Sequence, residues 1–260
     1  MSSHRSIITI GNAWALAMLA CGLALAWAYL GWMAWGMVRT GASVLLMPAM
    51  TDWGPVDLVL VWLMWSVMMV AMMLPSAGPM LLAFSAIGAR LASPRPRVHL
   101  LAFAAGYLGT WVCFSLAATL LQWLLLRLRL VSPMMQSTSV WLAGALLCIA
   151  GIYQFTHWKA SCLRLCRTPM AYLVRHWRPG TRGAFRMGLR HGVFCLGCCW
   201  ALMCLLFVLG VMNLWWVVAL TLVVLAEKAS PLQRWLPAAF GAVLLAWGTW
   251  MIARAAAGAA

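Results

Sequence analysis

The sequence predicts an all-α protein, a polytopic transmembrane helix bundle of about seven spans, or about six if the fifth and sixth form a re-entrant hairpin. Three observations predict it. Hydrophobic residues make up 66% of the 260 positions and charged ones only 8%, with a mean hydropathy of +0.95, outside the mixed composition of a water-soluble domain. The apolar residues are gathered into runs of about 20, the length a helix needs to cross a hydrocarbon core. The net charge of +15, from 18 Lys and Arg against three acids, lies between those runs, as loop charges that fix orientation do. The expected partner is therefore a lipid bilayer and not nucleic acid.

Taken in order, the spans are expected near Ala13–Met37, Asp57–Pro75, His99–Leu126, Val140–His157, Gly192–Gly210, Met212–Ala226 and Leu236–Ala253. Together they make residues 1–260 a single transmembrane domain, with a basic loop over 158–190 inside it. The first run is longer than the apolar region of a signal peptide and has no convincing cleavage site, so it reads as a helix that is kept. With the N-terminus inside, all Lys and Arg except Arg39, Arg127, Arg129 and Arg254 fall on the inner side. That bias predicts an N-terminus in the cytoplasm and a C-terminus outside, the latter changing side if the fifth and sixth spans are re-entrant. The cysteines of the second half then lie at or near cytoplasmic loops, where thiols stay reduced, and metal or thiol chemistry is expected over disulfides.

The second span is rich in methionine. Met64, Met68 and Met72 recur every four residues and Met69 and Met73 form an adjacent ridge, because residues four apart share a helix face. Thioethers suit Cu(I), so the ridge is either a metal path or flexible filler of a helix interface. Pro75 and Pro79 predict that the helix breaks or ends there. Asp52 and Asp57 either gather cations at the outer mouth or end and begin helices. In the third and fourth spans Gly106, Gly109 and Gly144 offer small packing surfaces, and Cys113 and Cys148 are expected to be lone buried thiols.

The basic loop reads as an amphipathic segment at the lipid headgroups. Cys162 and Cys166 share a face if residues 160–167 are helical, and form a metal-receiving site, a redox pair or an incidental pair.

The chemistry concentrates in HGVFCLGCCWALMCLLFVLGVMN, residues 191–213. At about 100° per residue, His191, Cys195 and Cys198 fall within a narrow arc, with Cys199 at its edge and Met203 one turn further. Gly192 and Gly197 leave room for a ligand or a neighbouring helix. One helix face cannot close a coordination sphere, so a partner must come from Cys162 with Cys166, the methionine ridge or Glu227. Thiolates and thioethers put copper ahead of zinc. Glu227 and Lys228, at the end of the sixth span, are either functional or solvated at the interface. Nucleotide-binding glycine loops, GxSxG, HExxH and CxxCH are all absent, and hydrolysis by paired acids is not expected.

The blocks WSVMMVAMMLPSAGPM, AGIYQFTHWKASCLRLCRTP, GAFRMGLRHGVFCLGCCWALM and FVLGVMNLWWVVALTLVVLAEK resemble the family catalogued as domain of unknown function 2182, described as predicted metal-binding integral membrane proteins of bacteria. The resemblance runs over roughly Val56 to Gly248. It implies an inner-membrane location and a metal, and no established reaction. The sequence thus leads to a soft-metal protein, Cu(I) before zinc, acting in transport or in delivery to a metallochaperone or cuproenzyme. Whether it is an enzyme is left open, the alternatives being a thiol- or metal-dependent oxidoreductase and an assembly factor without chemistry of its own.

Overall fold

The computed structural model describes residues 2–40, 53–91, 93–130, 139–211, 213–229 and 235–258, with side chains in the first helix over 13–36. Asp52 lies outside the described residues. Every regular element among the described residues is a helix: α1 (Ser2–Thr40), α2 (Pro55–Arg90), α3 (Pro96–Arg127), α4 (Val140–Gln154), α5 (His157–Arg167), α6 (Pro169–His176), α7 (Gly180–Cys204), the single turn α8 (Leu206–Leu209), α9 (Leu214–Ala229) and α10 (Leu236–Gly258). The all-α bundle expected from the sequence is what forms.

Within the described residues five helices are long and apolar enough to cross a membrane, and a sixth crossing results if α4 and α5, bent by 63°, form one broken span. The expected fourth and sixth spans account for the difference from about seven. Helix α4 has 15 residues and α9 has 16, so at 1.5 Å per residue each is roughly 22–24 Å long, short of a hydrocarbon core of about 30 Å.

Helix α2 does not end at Pro75. It continues through Pro75 and Pro79 to Arg90. The carbonyl of Met73 accepts hydrogen bonds from the Ser76 hydroxyl at 2.9 Å and from the Tyr107 hydroxyl of α3 at 3.1 Å. These bonds hold the backbone just before Pro75, although the carbonyls that Pro75 and Pro79 leave without a helical donor are those of Ala71 and Pro75, four residues earlier.

Helix α7 also starts earlier than expected, at Gly180. The added turns are amphipathic: Arg182, Arg186 and Arg190 lie exposed along one face, while Gly183, Ala184, Met187 and Gly188 are buried on the other. His191, expected at the inner end of a span, therefore sits in the middle of a helix. The stretch 158–190 contains α5, α6 and the start of α7, and Lys159, counted among the loop charges, is 1% exposed.

Two close helix contacts set the frame. Helix α3 packs on α7, and α4 on α10. In the first, a methyl group on Gly106 would lie 2.2 Å from the Phe185 carbonyl oxygen, and one on Gly188 would lie 2.0 Å from that of Phe103. The backbones touch, as small residues permit. In the second, Gly144 faces Gly248 and Gly151 faces Gly241, an antiparallel seam of matched glycines. Gly109 takes no part, since a Cβ there meets nothing within 4 Å. Cys113 is exposed on α3 and not buried, and Cys148 is partly buried, packed against Gly248.

Candidate metal centre

Met73 lies near the centre of α2, roughly 25 Å along the helix from either end. Around it the bundle gathers sulfur. Met64, Met68, Met69, Met72 and Met73 are all between 0% and 2% exposed, as are Cys195, Cys198, Cys199 and Met203 on α7. The soft-ligand face predicted for α7 is buried, and it reaches α2 where the Cys199 thiol lies 3.9 Å from the Met73 sulfur.

Helix α5 supplies the partner from outside. Helix α5 packs on α7, and the part-buried Cys166 lies on it one turn after Cys162. Cys162 packs directly over Gly197, where an added Cβ would come to 2.8 Å from its sulfur. The room left by Gly192 and Gly197 is filled by neighbours: Thr110 of α3 lies over the first and Cys162 over the second. The Tyr153 hydroxyl also donates to the Gly197 carbonyl, tying α4 to this turn of α7.

Three polar groups complete the site; the sequence raised Lys228, paired with Glu227 as either functional or solvated, and singled out neither Tyr107 nor Ser76. The Tyr107 hydroxyl stands 3.1 Å from the Cys195 sulfur and 3.1 Å from the Met73 carbonyl, so one side chain of α3 fixes the separation of α2 and α7. The Lys228 ammonium donates to the Cys195 sulfur at 3.0 Å and to the Ser76 hydroxyl at 2.9 Å. Signals existed for two of them: a lysine inside a membrane bundle is functional by default, and Ser76 sits between two prolines. Tyr107 lies in a helix that also buries Thr110, Ser115, Thr119 and Gln122, with nothing in its spacing to mark it.

Glu227 points away from the thiols. Its carboxylate accepts from the Lys159 ammonium at 2.7 Å, with both side chains almost fully buried, at 1% and 3% exposure, and its backbone carbonyl accepts from the Arg167 guanidinium. Glu227 and Lys228 are thus not a solvated pair. His191 lies one turn before Cys195, 3% exposed, boxed by the rings of Phe103, Tyr107 and Tyr172, and its Nδ1 has no hydrogen-bond partner among the described residues. Asp57 is remote: its carboxylate accepts from the Gly54 N–H at 2.9 Å and caps the start of α2.

The donor set can be tested against an ion. No three His, Cys, Asp or Glu side chains among the described residues form a ready-made cage. Thioethers change the count. An ion held by three sulfurs at about 2.3 Å, the usual thiolate bond length, keeps them roughly 4 Å apart, and the Met73–Cys199 separation of 3.9 Å meets that spacing. One thiol–thioether pair thus has the spacing of two sulfur ligands, with Cys195 and Cys198 buried on the same helix as that thiol.

Comparison with known proteins gives a family. The family model PpoB2, described as a copper chaperone, matches residues 62–251, well over half of the chain. No curated protein and no solved structure matches. The chain belongs to the PpoB2 copper chaperone family, and the matched region contains the whole sulfur cluster.

Proposed function

We propose that this member of the PpoB2 copper chaperone family carries Cu(I) as its cargo inside the membrane and delivers it to a metalloenzyme or to another carrier. One observation supports this above the others: the Met73 thioether of α2 and the Cys199 thiol of α7 lie 3.9 Å apart in the interior, with Cys195 and Cys198 buried on the same helix and α5, which carries Cys162 and Cys166, packed on α7. Cys195, Cys198, Cys199 and Met73 bind the ion, and Cys166 with Cys162 passes it on. The buried methionines Met64, Met68, Met69 and Met72 form its route along α2, and His191 and Met203 continue the soft face of α7 one turn to either side. The location is the bacterial inner membrane with the N-terminus in the cytoplasm, supported by five helices long and apolar enough to cross and by the Lys and Arg of the inner segments.

Metal analysis of the purified protein tests the reading. The wild type, reduced and loaded anaerobically, retains stoichiometric copper through gel filtration, with an X-ray absorption edge of Cu(I) in sulfur ligation. The Cys195→Ser/Cys198→Ser/Cys199→Ser variant loses it. Equal copper in the two proteins, both folded, refutes the site, and preferential retention of zinc refutes the identity of the cargo.

A further inference from the structure

We propose that Lys228 is the selectivity residue of this centre, a fixed positive charge that admits a monovalent ion and repels a divalent one. This rests on the reading of Cys195 and its neighbours as the metal site. The ammonium lies 3.0 Å from the Cys195 sulfur, so any ion bound to that sulfur comes within a few ångströms of it. It is held there by a second partner, the Ser76 hydroxyl at 2.9 Å, from the segment between the two prolines of α2.

The neighbouring acid does not cancel this charge. Glu227 is adjacent in sequence, but its carboxylate faces α5 and is neutralised by Lys159 at 2.7 Å, while the Arg167 guanidinium is bound to its carbonyl. The surroundings of Lys228 therefore remain net positive. In a buried, poorly screened site the repulsion between two charges is large and proportional to each of them. A doubly charged ion meets twice the repulsion met by a singly charged one at the same place. The affinities of thiolate sites follow the order of the metals when geometry alone decides; here a cation added by the protein weights the choice by valence.

Removing the ammonium also removes a hydrogen bond to Cys195 and so alters competition with protons. That change acts on the thiolate itself and affects both ions alike. The ratio of the two affinities isolates the electrostatic part.

The experiment measures Cu(I) affinity by competition with a chromophoric Cu(I) chelator and Zn(II) affinity by competition with a fluorescent zinc chelator, in detergent and under anaerobic, reducing conditions. The proteins are the wild type, Lys228→Met, Lys228→Arg and Ser76→Ala. In Lys228→Met the preference for Cu(I) over Zn(II) falls by about tenfold or more. Lys228→Arg keeps the charge and stays near the wild-type ratio. Ser76→Ala frees the ammonium from its anchor and shifts the ratio in the direction of Lys228→Met by a smaller factor. An unchanged ratio in Lys228→Met overturns the proposal, as does an unchanged ratio in Ser76→Ala if Lys228→Met does not accumulate folded. Failure of the wild type to bind either ion overturns the metal site itself, a result separate from normal binding with a ratio indifferent to residue 228.

Discussion

Met73 and Cys199, 126 residues apart in the chain, bring their sulfur atoms to 3.9 Å in the centre of the bundle. That contact joins a thioether on α2 to a thiol on α7 and makes the methionine a ligand candidate with a geometry of its own. Met73→Leu removes the sulfur at nearly constant volume, a change that usually costs under about 1.5 kcal/mol of stability. Cu(I) affinity measured by chelator competition is expected to fall about tenfold, a loss of about 1.4 kcal/mol of binding, while the unfolding midpoint stays close to wild type. Met80→Leu, a buried methionine on the same helix beyond Pro79, is the control and leaves affinity unaltered. Equal affinity in both variants would remove Met73 from the site.

Tyr107 reaches both sides of that contact. Tyr107→Phe deletes a hydroxyl 3.1 Å from the Cys195 sulfur and the Met73 carbonyl, yet the carbonyl keeps its bond from Ser76. The expected loss of stability is therefore that of one ordinary hydrogen bond, about 1 kcal/mol. Copper affinity falls less than in Met73→Leu, because no ligand is removed. A larger fall than in Met73→Leu, read in the same competition assay, would make the phenol part of the binding set.

The buried ion pair between Lys159 and Glu227 predicts an asymmetric cost. Lys159→Met removes the partner that the Glu227 carboxylate holds at 2.7 Å, leaving the Arg167 guanidinium on the carbonyl of the same residue, and breaking a buried pair from one side costs about 3–5 kcal/mol. Lys159→Met combined with Glu227→Gln removes both charges and recovers most of that loss. Unfolding of the single and double variants in mixed micelles measures the difference. If Lys159→Met alone is within about 1 kcal/mol of wild type, water reaches the pair and it is not buried in the working protein.

Much of this was legible in the sequence, for reasons that differ between residues. Cys195, Cys198 and Cys199 could be placed on one buried face because helical periodicity is local. Cys166 could be paired with Cys162 by spacing, but that α5 packs on α7 depends on the bend between α4 and α5. Lys228 could not be separated from Glu227 in the sequence. Adjacent residues on a helix point about 100° apart, and here the acid turns to α5 and the lysine to the thiols. The prolines of α2 misled for a physical reason, since proline ends a helix in isolation and is tolerated where a neighbouring helix offers hydrogen bonds. Helix α9 lies close to the expected Met212–Ala226 and follows the turn at Gly210, whose φ is +89°; what the apolar run did not reveal is that its 16 residues fall short of a full crossing.

The seam between α3 and α7 carries the last prediction. A methyl group at Gly188 would sit 2.0 Å from the Phe103 carbonyl oxygen, against backbone that cannot swing aside, so Gly188→Ala must push the two helices apart by more than 1 Å to restore ordinary contact. Helix α3 holds Tyr107 and α7 holds Cys195 and Cys199, so the displacement reaches the metal site as well as the fold. Both the unfolding midpoint and the Cu(I) affinity are expected to drop, the first by the 1–3 kcal/mol, approximately, typical of overpacking. Gly109→Ala is the control, on the facing helix α3 with nothing within 4 Å of the new Cβ, and by removing a flexible residue from a helix it should be neutral or stabilising by roughly 0.5–1 kcal/mol. Equal behaviour of the two variants would mean that α3 and α7 do not touch in the membrane, and the position of Tyr107 against Cys195 would fall with that contact.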